Sequence, residues 1–192
     1  MTGASGWGHS AREEVRTGVG ANLASLGVDL VPVVNLRRHP ESDVPFDEQL
    51  ELMNSLRDEG IVGSVSVSNV DLEQYRVARS LTDLAWVQNA FNLADRTGQD
   101  VFEACRADGV PFVPFFPLGS AFHPENPVLG APAVQDTAHR LDATPAQVAL
   151  AWLLHRAATV LLVPGTSSVE HLEENLASAG LVLDGEAREA LP

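Results

Sequence analysis

The chain has 192 residues, enough for one domain with a sizeable core. Its formal net charge is -14, which leaves no basic stripe to neutralise nucleic-acid phosphates or to sit on an anionic membrane. Hydrophobic residues make up 45%, but no apolar run reaches the ~20 residues of a membrane span and no signal peptide opens the chain, so a soluble cytoplasmic protein is expected.

In chain order, residues 1–9 are Gly/Ser-rich and read as a flexible N-terminus ahead of a domain over 10–192. Ser10 is placed to cap a helix over 11–26, with Glu13 completing a capping box and Val15, Val19, Leu23 and Leu26 forming an apolar stripe. A strand is predicted over 30–36, and Pro32 within it marks a strand start or a sheet edge. After a polar loop comes a helix over 46–58 with Leu50, Met53 and Leu56 inward. Strands over 62–67, 85–88 and 111–115 then alternate with helices over 72–79 and 100–108. A Pro-containing loop covers 121–133, helices follow over 134–141 and 145–156, and a strand over 160–163 precedes a helix over 169–177.

Short continuous apolar strands between amphipathic helices imply a parallel sheet covered by helices, here with about five strands. Cys105, the only cysteine, rules out an internal disulfide and reads as a buried structural thiol on the helix before the 111–115 strand. His9, His123 and His155 have no partners at metal-ligand spacing, so no metal site is expected.

Ligands of such α/β folds sit at the carboxyl ends of the strands. The polar or aromatic residues there are Asn35, Arg37, Ser68, Asn69, Gln88, Phe115, Phe116 and 165–168, all expected on one rim. The run Val160-Leu-Leu-Val-Pro-Gly-Thr-Ser-Ser-Val-Glu-His-Leu-Glu-Glu-Asn175 reads as a buried strand, a Pro-Gly turn and a helix whose first turn carries Thr166, Ser167 and Ser168. Free N–H groups at a helix start attract anions, and small hydroxyl residues let a phosphate come close. An ordinary strand-to-helix connection with a serine cap has the same appearance.

This run resembles the last βα unit of the aldo-keto reductases. Four more blocks resemble that family in order: Gly60-Ile-Val-Gly-Ser-Val-Ser-Val-Ser-Asn69, Val87-Gln-Asn-Ala-Phe-Asn-Leu93, Val113-Pro-Phe-Phe-Pro-Leu-Gly119 and Ala143-Thr-Pro-Ala-Gln-Val-Ala-Leu-Ala-Trp-Leu-Leu154. The resemblance covers roughly residues 11–192 and implies an α/β fold, a partial TIM (β/α)8 barrel that lacks its first three βα units. A whole barrel needs about 250 residues.

The resemblance also implies a cofactor, NADP with NAD open, and small carbonyl substrates. Ser68, Asn69 and Gln88 align with the family's nicotinamide carboxamide contacts, for which Asn and Gln offer both donors and acceptors. Phe115 aligns with the aromatic beneath the nicotinamide, followed by the loop of Pro117 and Leu118. Gly165, Thr166, Ser167 and Ser168 align with the phosphate-binding turn, and Glu174 and Asn175 with the adenine contacts. His171 stands where the family often has an arginine against the 2′-phosphate, which leaves NADP versus NAD undecided.

The family's reductive chemistry uses a Tyr proton donor tuned by a Lys and an Asp, with a His beside the carbonyl. Here all twelve Lys+Arg positions are arginine and the one tyrosine is Tyr75. Arg37 falls at the family His position, with His39 two residues on as an alternative. Arginine can polarise a carbonyl or bind a carboxylate but does not release its proton at working pH. Two readings follow: a carbonyl-reducing oxidoreductase of this family, or a non-catalytic relative. The second includes a truncated paralogue, a nucleotide-binding remnant and a half-barrel subunit. Open sheet edges invite pairing, so a homo-oligomer or a complementing chain is expected to cover them.

Overall fold

The structure is a computed structural model and describes residues 9–38, 44–119 and 126–192, with side chains of the first segment described from Val15 onward. The chain divides into two compact units, one ending at Val87 and the other beginning at Gln88. Among the described residues, no helix is long and apolar enough to cross a membrane.

The first unit contains α1 (His9–Leu26), β1 (Val31–Arg37), α2 (Phe46–Asp58), β2 (Val62–Ser68) and α3 (Leu72–Leu81), and β3 (Leu84–Gln88) ends at the boundary. The strands form one sheet in the order β1-β2-β3. β1 runs parallel to β2, in register from Val31 opposite Val62 to Arg37 opposite Ser68. Pro32 lies second in an edge strand, the position its missing N–H allows. Leu50, Met53 and Leu56 of α2 are buried as their spacing predicts, over a β2 whose Val62, Val65 and Val67 are fully buried. α3 starts in a reciprocal capping box: Asp71 accepts from the Gln74 backbone N–H, and the Gln74 side chain accepts from the Asp71 N–H.

The second unit contains α4 (Gln99–Asp108), α5 (Pro132–Arg140), α6 (Pro145–Leu154), α7 (Val169–Ala177), a 3₁₀ turn (Ser178–Gly180) and α8 (Gly185–Ala190). Its core is aromatic. Phe91 stacks on Phe102 at 5.0 Å between ring centroids and on Trp152 at 5.8 Å, and Phe112 meets Phe102 edge-on at 5.3 Å. α6 is buried continuously from Val148 to Leu153, as befits a helix that is apolar nearly all round. The guanidinium of Arg96 lies 4.6 Å from the Trp152 ring centre and that of Arg156 5.2 Å. Burial lowers the Arg96 pKa, and the neighbouring Arg156 charge adds to the effect.

Several expectations need correction. Among the described residues, three strands form a sheet, not about five. The segments 111–115 and 160–163 make isolated parallel bridges instead, Ala90 with Phe115 and Phe112 with Val160. Prolines at 111, 114 and 117 remove donors at every third position, so no ladder can run along the first of these segments. Among the described residues the second is bonded along one edge, through Phe112 N–H to Thr159 and Leu161 N–H to Phe112. α1 begins at His9, so Ser10 lies inside the helix rather than capping it. α5 begins at Pro132, a residue pre-shaped for a first helical turn, which shortens the predicted loop.

Candidate functional site

In the first unit, register places Arg37 directly opposite Ser68 at the carboxyl ends of β1 and β2. The chain is locked there by the Arg38 N–H, which donates to the Ser68 carbonyl at 2.9 Å. Asn69 follows in the left-handed region, φ 60°, where Asn is one of the few tolerated side chains. It is exposed, and its Nδ2 donates to the Arg38 carbonyl at 3.3 Å. Ser68 is the opposite case: it is 2% exposed, and its Oγ is buried without a hydrogen-bond partner. Ser66, two residues back on the same strand, has the same unpartnered buried hydroxyl. Asn35 is engaged elsewhere, accepting from Trp86 Nε1 at 2.9 Å. Arg37 is exposed, and His39 lies outside the described residues.

In the second unit, Gln88 is half-buried and leads into a junction where the Phe115 N–H donates to the Asn89 carbonyl at 3.0 Å. Phe115 is half-buried and meets the exposed Phe116 ring edge-on at 5.2 Å. Phe116 has φ 55°, a conformation that bulky residues rarely hold without outside support. That support comes from Asn92, whose Nδ2 donates to the Phe116 carbonyl at 2.9 Å while its Oδ1 accepts from the N–H groups of Ala94 and Asp95. Pro117 is buried and Leu118 half-buried. Asn126 repeats the device, with Nδ2 donating to the Leu118 carbonyl at 2.7 Å and Oδ1 accepting from Val128 and Leu129. Asn92 and Asn126 were not among the predicted site residues. Asn126 precedes Pro127, a turn signal that could have marked it, whereas Asn92 has no such neighbour.

Gly165, Thr166 and Ser167 are exposed and lie ahead of α7 rather than in its first turn. Ser168 is the N-cap: its Oγ accepts from the His171 N–H at 3.3 Å, and its own N–H donates to Thr166 Oγ1 at 3.1 Å. The N–H groups of Val169 and Glu170 carry no hydrogen bond among the described residues. They are the open donors that a helix start leaves without an intrahelical partner. His171 is exposed, while Glu174 and Asn175 are half-buried. Asn175 borders a groove of about 570 Å³ with Leu154, Leu162, Val163, Leu172 and Leu176.

Tyr75 is 1% exposed within α3. No three His, Cys, Asp or Glu side chains gather at metal-binding distance among the described residues.

The profile of the aldo/keto reductase family matches residues 4–191. Pyridoxine 4-dehydrogenase of Escherichia coli is 40% identical over 183 residues, which cover 93% of this chain and 62% of that protein. An aldo/keto reductase of Klebsiella pneumoniae, solved in complex with NADP and acetate, superposes with a TM-score of 0.81 at 27% identity, covering 91% of this chain and 62% of that one. A thermostable aldo-keto reductase bound to the inhibitor epalrestat superposes with a TM-score of 0.82, also at 27% identity, covering 93% of this chain and 65% of that one. The chain thus spans a little under two-thirds of these relatives. With the five sequence blocks, the Ser68–Asn69 strand end and the capped turn before α7 in place, the chain belongs to the aldo/keto reductase family and corresponds to its C-terminal portion.

Proposed function

We propose that this chain binds a nicotinamide nucleotide, NADP(H) in preference to NAD(H), as the cofactor-binding part of a carbonyl-reducing oxidoreductase built on a partial (β/α)8 barrel. The observation that carries the reading is Ser68. A hydroxyl buried without a partner costs about 1–3 kcal/mol, and this one lies at a strand's carboxyl end, where ligands of such folds sit. The donor set fits the group. Asn69 and Gln88 offer amides suited to a carboxamide, and Phe115 offers a flat apolar face. Thr166, Ser167, Ser168 and the open N–H groups of Val169 and Glu170 suit a phosphate, with Gly165 leaving open space beside them. By the resemblance, Pro117 and Leu118 would wall the site, His171 would lie beside a 2′-phosphate, and Glu174 and Asn175 would meet the adenine.

The bound nucleotide supplies the hydride, and the protein's part is orientation and charge. Arg37, opposite Ser68, carries a permanent positive charge that can polarise a carbonyl oxygen but cannot serve as its proton donor. His39 is the alternative donor by sequence.

A second reading is binding without turnover. It is favoured by the absence of lysine and by the burial of the one tyrosine inside α3. Titration of the full chain with NADPH and, in parallel, NADH, followed by tryptophan fluorescence, tests both. Saturable binding with NADPH tighter supports the proposal, and carbonyl turnover then separates the two readings. A folded chain that binds neither nucleotide overturns both.

A further inference from the structure

The second unit holds a cavity of about 340 Å³ that the cofactor reading does not use. Its size falls within the range of small-molecule sites. Trp152, His155 and Arg156 line it from the end of α6, and Leu183, Arg188 and Leu191 from α8 and its flanks. The Pro192 carbonyl closes one side, accepting from Trp152 Nε1 at 2.9 Å. His155 Nε2 donates to the Leu181 carbonyl at 3.1 Å, a second tie between α6 and the last residues. The cavity lies where α6 ends, ahead of the 160–163 segment, whereas the proposed phosphate turn follows that segment. None of its lining residues belongs to β1, to 160–163, to α7 or to the proposed cofactor site.

Charge sets this cavity apart. The chain has 26 acidic residues against 12 arginines, so a guanidinium is expected to find a carboxylate. Arg188 makes no ion pair among the described residues. Arg156 has a loose one, 3.9 Å from Glu103, whose closer partner is Arg106 at 2.7 Å. The carboxylates of Asp184 and Glu186 are engaged by Arg140. Arg96 lies on the same Trp152 ring as Arg156, and its Nε and Nη2 are buried without a partner. Two like charges held on one indole repel, and an anion at Arg156 would offset that repulsion.

The planar fork of arginine donates in pairs to carboxylate or phosphate oxygens. The buried Trp152, Leu183 and Leu191 offer apolar surface that a bare ion would leave unused. We infer that the cavity between α6 and α8 binds a small organic anion. Its carboxylate or phosphate meets Arg156 and Arg188, and its apolar body lies against Trp152, Leu183 and Leu191. The inference does not depend on nucleotide binding.

The test uses the ¹⁵N-labelled full chain and four probes: benzoate, phenyl phosphate, inorganic phosphate and benzyl alcohol. The readout is the Trp152 indole N–H signal, identified by its loss in Trp152→Phe, because this group donates to Pro192 in the cavity wall. Benzoate or phenyl phosphate should move that signal saturably, and the tighter of the two names the anionic group. It should bind at least about ten-fold more tightly than inorganic phosphate or benzyl alcohol. Arg188→Gln, at an exposed position with no ion pair to lose, should keep the far-UV spectrum. It should weaken the binding at least about ten-fold, the worth of one hydrogen bond to a charged group. The proposal is overturned if neither organic anion moves the signal, or if either preference or the Arg188→Gln effect falls short of that factor. Displacement of the probe by NADPH would place the anion in the cofactor site and overturn it as well.

Discussion

A Cβ added to Gly63 would lie 2.6 Å from the Pro32 carbonyl oxygen on the neighbouring strand. The obstacle is backbone, so only a shift of β1 away from β2 could relieve it. Overpacking of this kind costs about 1–3 kcal/mol, which outweighs the ~0.4–1 kcal/mol that Gly→Ala gains by stiffening the unfolded chain. Gly63→Ala is therefore expected to lower the urea midpoint followed by far-UV circular dichroism. An unchanged or higher midpoint would show that the two strands part freely.

Ser68→Ala separates a ligand-binding hydroxyl from a structural one. Its Oγ is buried without a partner, so removing it deletes no protein hydrogen bond and should leave the free protein as stable or more so. NADPH affinity should fall about two- to ten-fold, the worth of one neutral hydrogen bond at ~0.5–1.5 kcal/mol. Paired thermal melts and NADPH titrations read the two effects. A destabilised variant with unaltered binding would assign Ser68 to the core alone.

Phe102 is 1% exposed and packs against Phe91 and Phe112. Phe102→Ala should cost the second unit about 3–5 kcal/mol through lost burial and the cavity left behind. Near-UV circular dichroism, to which Trp152 stacked on Phe91 contributes, should collapse at lower denaturant than in the parent. A loss below ~1 kcal/mol would mean that the cluster refills the gap.

Asp184 gives an acid signature. The Arg140 guanidinium, followed by the Ala187 N–H, pushes its pKa from the ordinary 3.8 down to about 2. A carboxylate depressed in the folded state contributes stability above its unfolded value and loses it as pH falls through the folded one. The tie between α5 and the start of α8 should therefore persist at pH 4 and weaken between about 3.8 and 2. Side-chain carboxyl NMR of the parent and Arg140→Ala checks this: in the variant, Asp184 should titrate closer to 3.8. An unmoved titration would exclude Arg140 as the cause.

The sequence was most legible where one signal sufficed locally. The α7 bounds follow from Ser168 as cap and the stripe behind it, and the α2 bounds from Leu50, Met53 and Leu56. Strands were legible only as apolar runs. Whether such a run becomes a ladder depends on neighbours and donors, and Pro111, Pro114 and Pro117 decided against it. The start of α1 is hard to read because Ser10 suits a cap and a helix interior almost equally well in an isolated chain. α8 went unread because six residues held by Asp184 give no periodicity to detect. At the site, residue types at the strand ends were readable from the family blocks. The supporting amides of Asn92 and Asn126 depend on where loops fold back, which spacing does not encode.

The single thiol has a use that follows from where it lies. Cys105 is fully buried in α4, and the first unit contains no cysteine. A thiol reagent can react only while the second unit is transiently open. Its labelling rate is a clock for that half of the molecule alone, and comparing it with global unfolding would reveal whether the two halves open together or in turn.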